Sequence, residues 1–406
     1  MEAKSPHYAA GRRIRVLLVD DSELFRRFII ELLEDNVALE IAAEAASGIQ
    51  ALALIEDLAP DVVLLDMEMP GLDGMETLRR INERFPVPVM MLSSLSREGS
   101  ARSFDCLKNG AIDFIGKDSL HPRKGAEKLK SELLYRIVCA SRIQTTPINF
   151  EDQDIGPLGK KQPVQQRVIF CEDCGARNVV NPQNENNSSE EYYCSQCGDQ
   201  LNAIVITAYR RLSSLGVVGA GRGAAANLLK IVPQIPAQTS AAVLIVLHES
   251  RDYPQSLTRY LNALSSIKVV GLEDGMNIEG GHCYISSSHD GFSMVSHSTN
   301  YTIRSNSLPV GRGALDLMLE SIAPIMKNRM LALFLSGNQL DGIKGIVEVR
   351  KNQGLTVVLN GAGCLCKELG ENILRKSGAD RIVSERECIE ILAGRQDAQN
   401  VDRKRL

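Results

Sequence analysis

The 406-residue sequence holds no apolar run approaching the ~18 residues needed to span a bilayer; its longest apolar stretches, such as 241–247, have the length of buried strands. Membrane insertion is therefore not expected. The N-terminus, MEAKSPHYAAGRR, lacks the apolar core of a secretory signal. An excess of one charge sign is also missing: 46 Lys and Arg stand against 50 Asp and Glu, a formal net charge of −4. That balance makes no global electrostatic case for nucleic acid or a lipid surface as partner. The basic residues 403–405 read as part of a solvated tail over 396–406. No tandem repeat is present. Of the ten cysteines, four form two neighbouring CxxC pairs and six are scattered, which does not suit a disulfide scaffold. It suits a reducing, cytoplasmic compartment and one metal site.

What is present is an ordinary globular balance, 44% hydrophobic and 24% charged. At roughly 150 residues per domain the length predicts two or three domains. From Ile14 onward, β-branched runs at 14–19, 40–45, 62–65, 87–92 and 113–115 alternate with amphipathic segments at 23–34, 49–58, 75–84, 99–109 and 124–139. In the first of these segments Phe25, Phe28, Ile29, Leu32 and Leu33 share one face and Ser22 can cap it, while Asn109 and Gly110 close the fourth. Strands buried on both faces and alternating with helices predict a parallel, doubly wound sheet. Residues 137–167 turn polar, with Pro147, Pro157 and Pro163, and read as a linker. A second alternating pattern, with strands near 216–218, 243–247, 267–270, 331–335 and 356–359, lies within 210–395.

Asp20 and Asp21 end the first predicted strand and Asp66 the third. In an open parallel sheet these ends share the carboxyl edge, where ligands bind. Three converging carboxylates repel one another unless a hard cation lies among them, and Mg²⁺ with oxygen ligands fits. Ser93 ends the fourth strand with a hydroxyl, and Lys117 follows the fifth with a point charge for a phosphoryl oxygen. The stretches LLVDDSELFRR, VVLLDMEMPGLDGMETL, VMMLSS and GAIDFIGK resemble the two-component receiver family over 12–136. The resemblance implies phosphotransfer from a sensor histidine kinase to Asp66, with Phe114 as the aromatic that moves with the Ser93 hydroxyl. Asp118 departs from the proline the family usually has after the lysine.

The segment 168–202 reads CEDCG, then nineteen residues from Cys174 to Cys194, then CSQCG. Two CxxC turns at about 15–20 residues' separation are the spacing of a tetrahedral Zn²⁺ site. Cys171, Cys174, Cys194 and Cys197 would close its shell, making the zinc structural, with Gly175 and Gly198 permitting the turns. Redox CxxC pairs without metal are the alternative.

The stretch LGVVGAGRGAAANL reads as strand, glycine turn and helix start. Alone, residues 219–223 also fit a dinucleotide-binding loop, with Glu249 at a later strand end. With VLIVLHES, GMNIEGGHCYISSSHDGFSM and LALFLSGNQLDGIKGIVEVRKNQGLTVVLNGAGC, however, the region 215–392 resembles the catalytic domain of the chemotaxis protein-glutamate methylesterase (CheB) family. That resemblance implies hydrolysis of glutamate methyl esters on chemoreceptors by a Ser-His-Asp triad, with His248 and Asp341 at the histidine and aspartate positions. Where the family turn has serine then threonine, this chain has Gly221 then Arg222. Glycine carries no attacking atom, so a degenerate esterase is expected, its turn overlaid by the Arg222 side chain. Ser213, Ser214 and Ser336 are the remaining hydroxyls that could substitute. The expected fold class is α/β: two doubly wound parallel-sheet domains, a flavodoxin-like receiver and a methylesterase-like domain, joined by a linker carrying a small zinc ribbon.

Overall fold

The computed structural model describes residues 12–93, 101–120, 126–147, 167–170, 177–180, 192–198, 200–201, 212–236, 239–251, 253–297 and 300–394. The N-terminal domain runs β1 (Ile14–Val19), α1 (Glu23–Leu33), β2 (Leu39–Ala45), α2 (Gly48–Leu58), β3 (Val62–Asp66), α3 (Gly74–Arg84), β4 (Val89–Ser93), α4 (Ala101–Lys108), β5 (Asp113–Gly116) and α5 (Ala126–Ala140). Its strands pair in the order β2-β1-β3-β4-β5, the flavodoxin-like order. Every residue of β3 and β4 is buried, which is why neither run shows polar alternation. Side chains of Ser22, Ser47 and Asp73 cap α1, α2 and α3, and Gly110 leaves α4 at φ +95°, as the Asn-Gly pair predicts. Helix α5 continues to Ala140, one residue past the predicted 139 and into the stretch read as linker.

Residues 149–211 form a separate unit. Its described parts are two antiparallel ladders: β6 (Arg167–Phe170) with β7 (Arg177–Val180), and β8 (Tyr192–Tyr193) with β9 (Gln200–Leu201). Cys171 and Cys174 lie outside the described residues. Cys194 is buried and Cys197 exposed. The turn between them returns the Gly198 N–H to the Cys194 carbonyl at 2.9 Å, with Gly198 at φ +75°, and the Gln196 N–H donates to Cys194 Sγ at 3.5 Å.

The C-terminal domain runs β10 (Ser214–Ala220), α6 (Ala224–Ile231), β11 (Ala241–Leu247), α7 (Tyr253–Leu264), β12 (Lys268–Gly271), β13 (His282–Ser287), β14 (Gly291–Ser296), β15 (Tyr301–Asn306), α8 (Ala314–Met326), β16 (Met330–Phe334), α9 (Gly345–Lys351), β17 (Leu355–Leu359), α10 (Glu368–Lys376), β18 (Arg381–Val383) and α11 (Glu385–Leu392). Seven strands form a parallel sheet in the order β12-β13-β11-β10-β16-β17-β18, and β14 and β15 form a separate hairpin. Winding proceeds outward from β10 through β11 on one side and from β16 on the other. The crevice between β10 and β16 is therefore the switch point at which an open α/β sheet binds ligands.

The two α/β domains share a buried seam. Phe104 of α4 is fully buried, edge-on to Tyr253 (centroids 5.5 Å apart) and tilted against Tyr260 (5.2 Å), and the Tyr260 hydroxyl donates to Asp105. Leu365 and Cys366 join the apolar cluster formed with Leu133, Ile137 and Cys139 of α5.

Two carboxylates tie the loop after β16 to the helices around it. Asp341 accepts the Leu315 and Asp316 N–H groups at 2.9 Å each, capping α8, whose own N-cap Gly313 offers no side chain. In return Asp316 accepts from the N–H groups of Lys344 and Gly345, at the start of α9. Burial pushes the Asp341 carboxyl up, but the His248 hydrogen bond and the two backbone donors outweigh it and hold the group below its ordinary 3.8. A depressed folded-state value stabilises above the unfolded one, and that contribution is lost as pH falls through the folded one. Asp341→Ala is expected to lower stability by about 2–4 kcal/mol at neutral pH, from the lost cap and the buried groups left unpaired. In thermal melts the gap from wild type should hold above about pH 5 and close as pH drops below 4.

Candidate functional site

At the carboxyl edge of the N-terminal sheet, β1 delivers Asp20 and Asp21, β3 ends on Asp66, β4 ends on Ser93, and Lys117 follows β5. Asp20, Asp66 and Ser93 are buried. One oxygen from each of Asp20, Asp21 and Asp66 lies within 4.8 Å of the others. Lys117 Nζ is 2.6 Å from Asp20 Oδ2 and 2.9 Å from Asp66 Oδ2. Burial raises the Asp66 carboxyl to about 6; Lys117 pulls it down and the Asp20 charge pushes it up. Asp66 Oδ1 is buried without a hydrogen-bond partner among the described residues. An all-carboxylate donor set with an orphan oxygen fits Mg²⁺, whose charge favours the ionised form that must attack phosphorus. Asp118 falls in a short 3-10 turn, Lys117–Leu120, where the Ser119 hydroxyl donates to the Gly116 carbonyl at 2.6 Å.

In the C-terminal sheet Ala220 and Leu247 are register partners, so Gly221 and His248 leave neighbouring strands side by side. The His248 N–H donates to the Ala220 carbonyl, and its Nε2 lies 2.8 Å from Asp341 Oδ2. His248 Nδ1 is buried without a partner among the described residues. Gly221 donates its N–H to the Ser336 carbonyl at 2.8 Å. Gly223, at φ +79°, starts α6; a Cβ there would meet Leu365 Cβ at 2.5 Å, so both conformation and space demand glycine. Gly221 has no positive φ, yet a Cβ there would stand 2.1 Å from Gln339 Oε1.

The hydroxyls near this turn are committed elsewhere. Ser336 is fully buried, donates to the Arg222 carbonyl at 2.6 Å and accepts from the Cys366 N–H at 2.9 Å. Ser213 and Ser214 stand at the amino end of β10, opposite Gly221, and Ser213 Oγ accepts from Ser240. The Arg222 side chain does not overlie the turn as expected. Its guanidinium reaches instead to Glu132 of α5 at 3.0 Å, an ionic partner for its charge.

Family models match in the same order as these two sites: the response regulator receiver domain over residues 16–129 and the CheB methylesterase over 216–392. The protein-glutamate methylesterase/protein-glutamine glutaminase of Symbiobacterium thermophilum is 31% identical over 360 residues, 87% of this chain and 89% of that protein. The chain belongs to the CheB family. The protein of the same description from Pyrococcus horikoshii is 29% identical over 350 residues, 86% of this chain and 84% of its own. Among solved structures, the Thermotoga maritima CheB methylesterase catalytic domain aligns at 22% identity (TM-score 0.43; 45% of this chain, 98% of that one). The response regulator domain of Thermotoga maritima CheB aligns at 36% (TM-score 0.31; 33% and 99%).

Three groups at or beside this CheB-type site are absent from the sequence reading. Glu132 carried no signal, being one of many polar residues on a helix. Asp316 resembles any acidic residue in a first helical turn. Gln339 stands two positions before Asp341 in LSGNQLDG, and nothing local says which strand end its side chain covers. The receiver site generates the first functional expectation. Incubation with acetyl phosphate and Mg²⁺ should phosphorylate wild type on Asp66, and Mg²⁺ alone should raise its Tm by mass action. Asp66→Asn should abolish the labelling, read as phosphoprotein by mass spectrometry, and most of the Tm gain.

Proposed function

We propose that this CheB-family chain is a response regulator phosphorylated on Asp66 by a sensor histidine kinase, and that its methylesterase-type domain acts as a phosphorylation-controlled, non-hydrolytic docking module for chemoreceptors or their signalling partners. The observation that carries the reading is Gly221. It stands beside His248 at the end of β10 with no atom to attack an ester, and the nearby Ser336 hydroxyl is used in hydrogen bonds. Phosphorylation has a physical route to the output domain. Phe104 and Asp105 of α4, Phe114 of β5 and Glu132 of α5 all belong to the receiver's side of the seam, and Arg222 lies next to Gly221. The relatives' description as methylesterases and glutaminases, and the His248–Asp341 pair at 2.8 Å, favour a second reading: hydrolysis through a different nucleophile. The capping of α8 by Asp341 gives that residue a reason to persist without hydrolysis. Among the described residues no helix is long and apolar enough to cross a membrane.

Wild type, with or without acetyl phosphate, should release no methanol from methylated receptor. Robust release that is lost in His248→Ala would establish the hydrolytic alternative.

The ribbon reading rests on four cysteines in two CxxC turns and on the Gln196 N–H directed at Cys194 Sγ. Cys171, Cys174, Cys194 and Cys197 would hold one structural Zn²⁺, supplying folding energy that this short polar segment lacks. Elemental analysis of protein purified without chelator should find about one zinc per chain. Cys194→Ser should release it while leaving acetyl-phosphate labelling unchanged.

A further inference from the structure

The loop leaving β16 carries a second alteration of the hydrolytic site, independent of the missing serine. A Cβ built on Gly221 would lie 2.1 Å from Gln339 Oε1, 2.8 Å from its Cδ and 2.9 Å from Gly337 Cα. A Cβ on Gly337 would meet the same amide at 2.3 Å. The Gln339 amide is therefore gripped between two glycines, one following each of the strands that flank the switch crevice. Both its nitrogen and its oxygen are buried, and among the described residues neither has a hydrogen-bond partner. The amide lies in the space that the absence of a side chain at 221 leaves open. Nor does the main chain at 221 require glycine, since its φ is not positive. A side chain at 221 would have to displace the Gln339 amide and press on the Gly337 backbone.

We propose that Gln339 occupies the place of the nucleophile and blocks hydrolysis on its own, so that a hydroxyl restored at position 221 would still have no room to attack. The proposal rests on the non-hydrolytic reading of the domain and names the residue that enforces it. In a cleared site the chemistry balances with the groups at hand. The oxygen introduced by Gly221→Ser bonds to the ester carbonyl carbon and its proton passes to His248. Methanol leaves with that proton, and water then cleaves the acyl-enzyme to free glutamate and the regenerated hydroxyl. With Gln339 in place, the first of these bonds has no approach.

Two measurements on the full chain test this. The first is a thermal double-mutant cycle of wild type, Gly221→Ala, Gln339→Ala and the double variant. Gly221→Ala should lower the Tm of wild type by about 4 °C or more, and by less than about half that amount once Gln339 is alanine. Additive shifts would mean that the amide yields freely to a side chain, and would overturn the proposal. The second compares Gly221→Ser with Gly221→Ser/Gln339→Ala, by methanol release from methylated receptor and by labelling with a serine-directed fluorophosphonate. The double variant should exceed the single one by about tenfold or more in labelling. Equal labelling of the two would overturn the proposal. Hydrolysis by wild type would sink the non-hydrolytic reading instead, so the two failures are told apart.

Discussion

In a parallel sheet all strands end on one edge, so the residue after each strand faces the same crevice whatever its distance along the chain. Both functional regions depend on that constraint. It brings Asp20, Asp66, Ser93 and Lys117 together from positions up to ninety-seven residues apart, and it sets Gly221, His248 and the β16 loop side by side in the second domain. At the receiver edge it has an electrostatic consequence. Burial and the Asp20 charge raise Asp66 to about 6, so the carboxylate is uncomfortable there until cations balance it. Lys117 supplies one at 2.9 Å, and the orphaned Asp66 Oδ1 leaves a position for another. A site built this way is poised for an anionic ligand that arrives with its own metal.

The seam relates the two edges. Glu132 accepts from Arg136 within the receiver at 3.3 Å and from Arg222 of the other domain at 3.0 Å, so one carboxylate is shared between them. Arg136 is buried, and it also donates to the Phe114 carbonyl at 3.2 Å. A half-exposed pair such as Arg222–Glu132 is worth only about 0–1 kcal/mol. The adhesion between the domains therefore comes mainly from Phe104, wedged against two tyrosines, and from the apolar contact of Leu365 and Cys366 with α5. The ion pair instead fixes the register of the turn beside Gly221 against α5. A cavity of about 30 Å³ lies at this junction, lined by Phe114, Arg136, Arg222 and Tyr253, and is roomy enough for a water. A junction with a water-sized cavity beside a tight aromatic contact is an arrangement in which a small rearrangement of β5 and α5 can reach Arg222 without first dissolving the apolar contact.

Much of this was legible in the sequence where burial wrote a continuous apolar run. The strands β1, β3, β4, β11 and β16 announce themselves, and the carboxylates at their ends follow from the topology. Legibility failed where side chains are polar yet buried. All of β13 from Cys283 to Ser287 is buried, but its serines break the pattern; Ser286 donates to the Ile245 carbonyl at 3.3 Å, a partner that only the fold provides. The β14–β15 hairpin and the three-residue β18 were invisible for a related reason, being half-exposed or too short to carry a period. The reading of Gly221 at the nucleophile position comes from the motif alone. What fills its place, and where Arg222 turns, are tertiary facts: Gln339 arrives from a different strand and Glu132 from a different domain.

The His248–Asp341 pair has a structural role beside any catalytic one. In a hydrolase the carboxylate orients the imidazole, and finding both at 2.8 Å invites the conclusion that the chemistry survives. Here the same carboxylate spends both oxygens on the first turn of α8, and Asp316 from that turn spends one on the start of α9. Removing Asp341 would unpair two helix donors and a buried histidine, a structural penalty present whether or not an ester is ever bound. Gly221, by contrast, contributes only its main chain, whose N–H donates to the Ser336 carbonyl. The acid–histidine pair would therefore be kept by the fold even in a domain that no longer hydrolysed an ester.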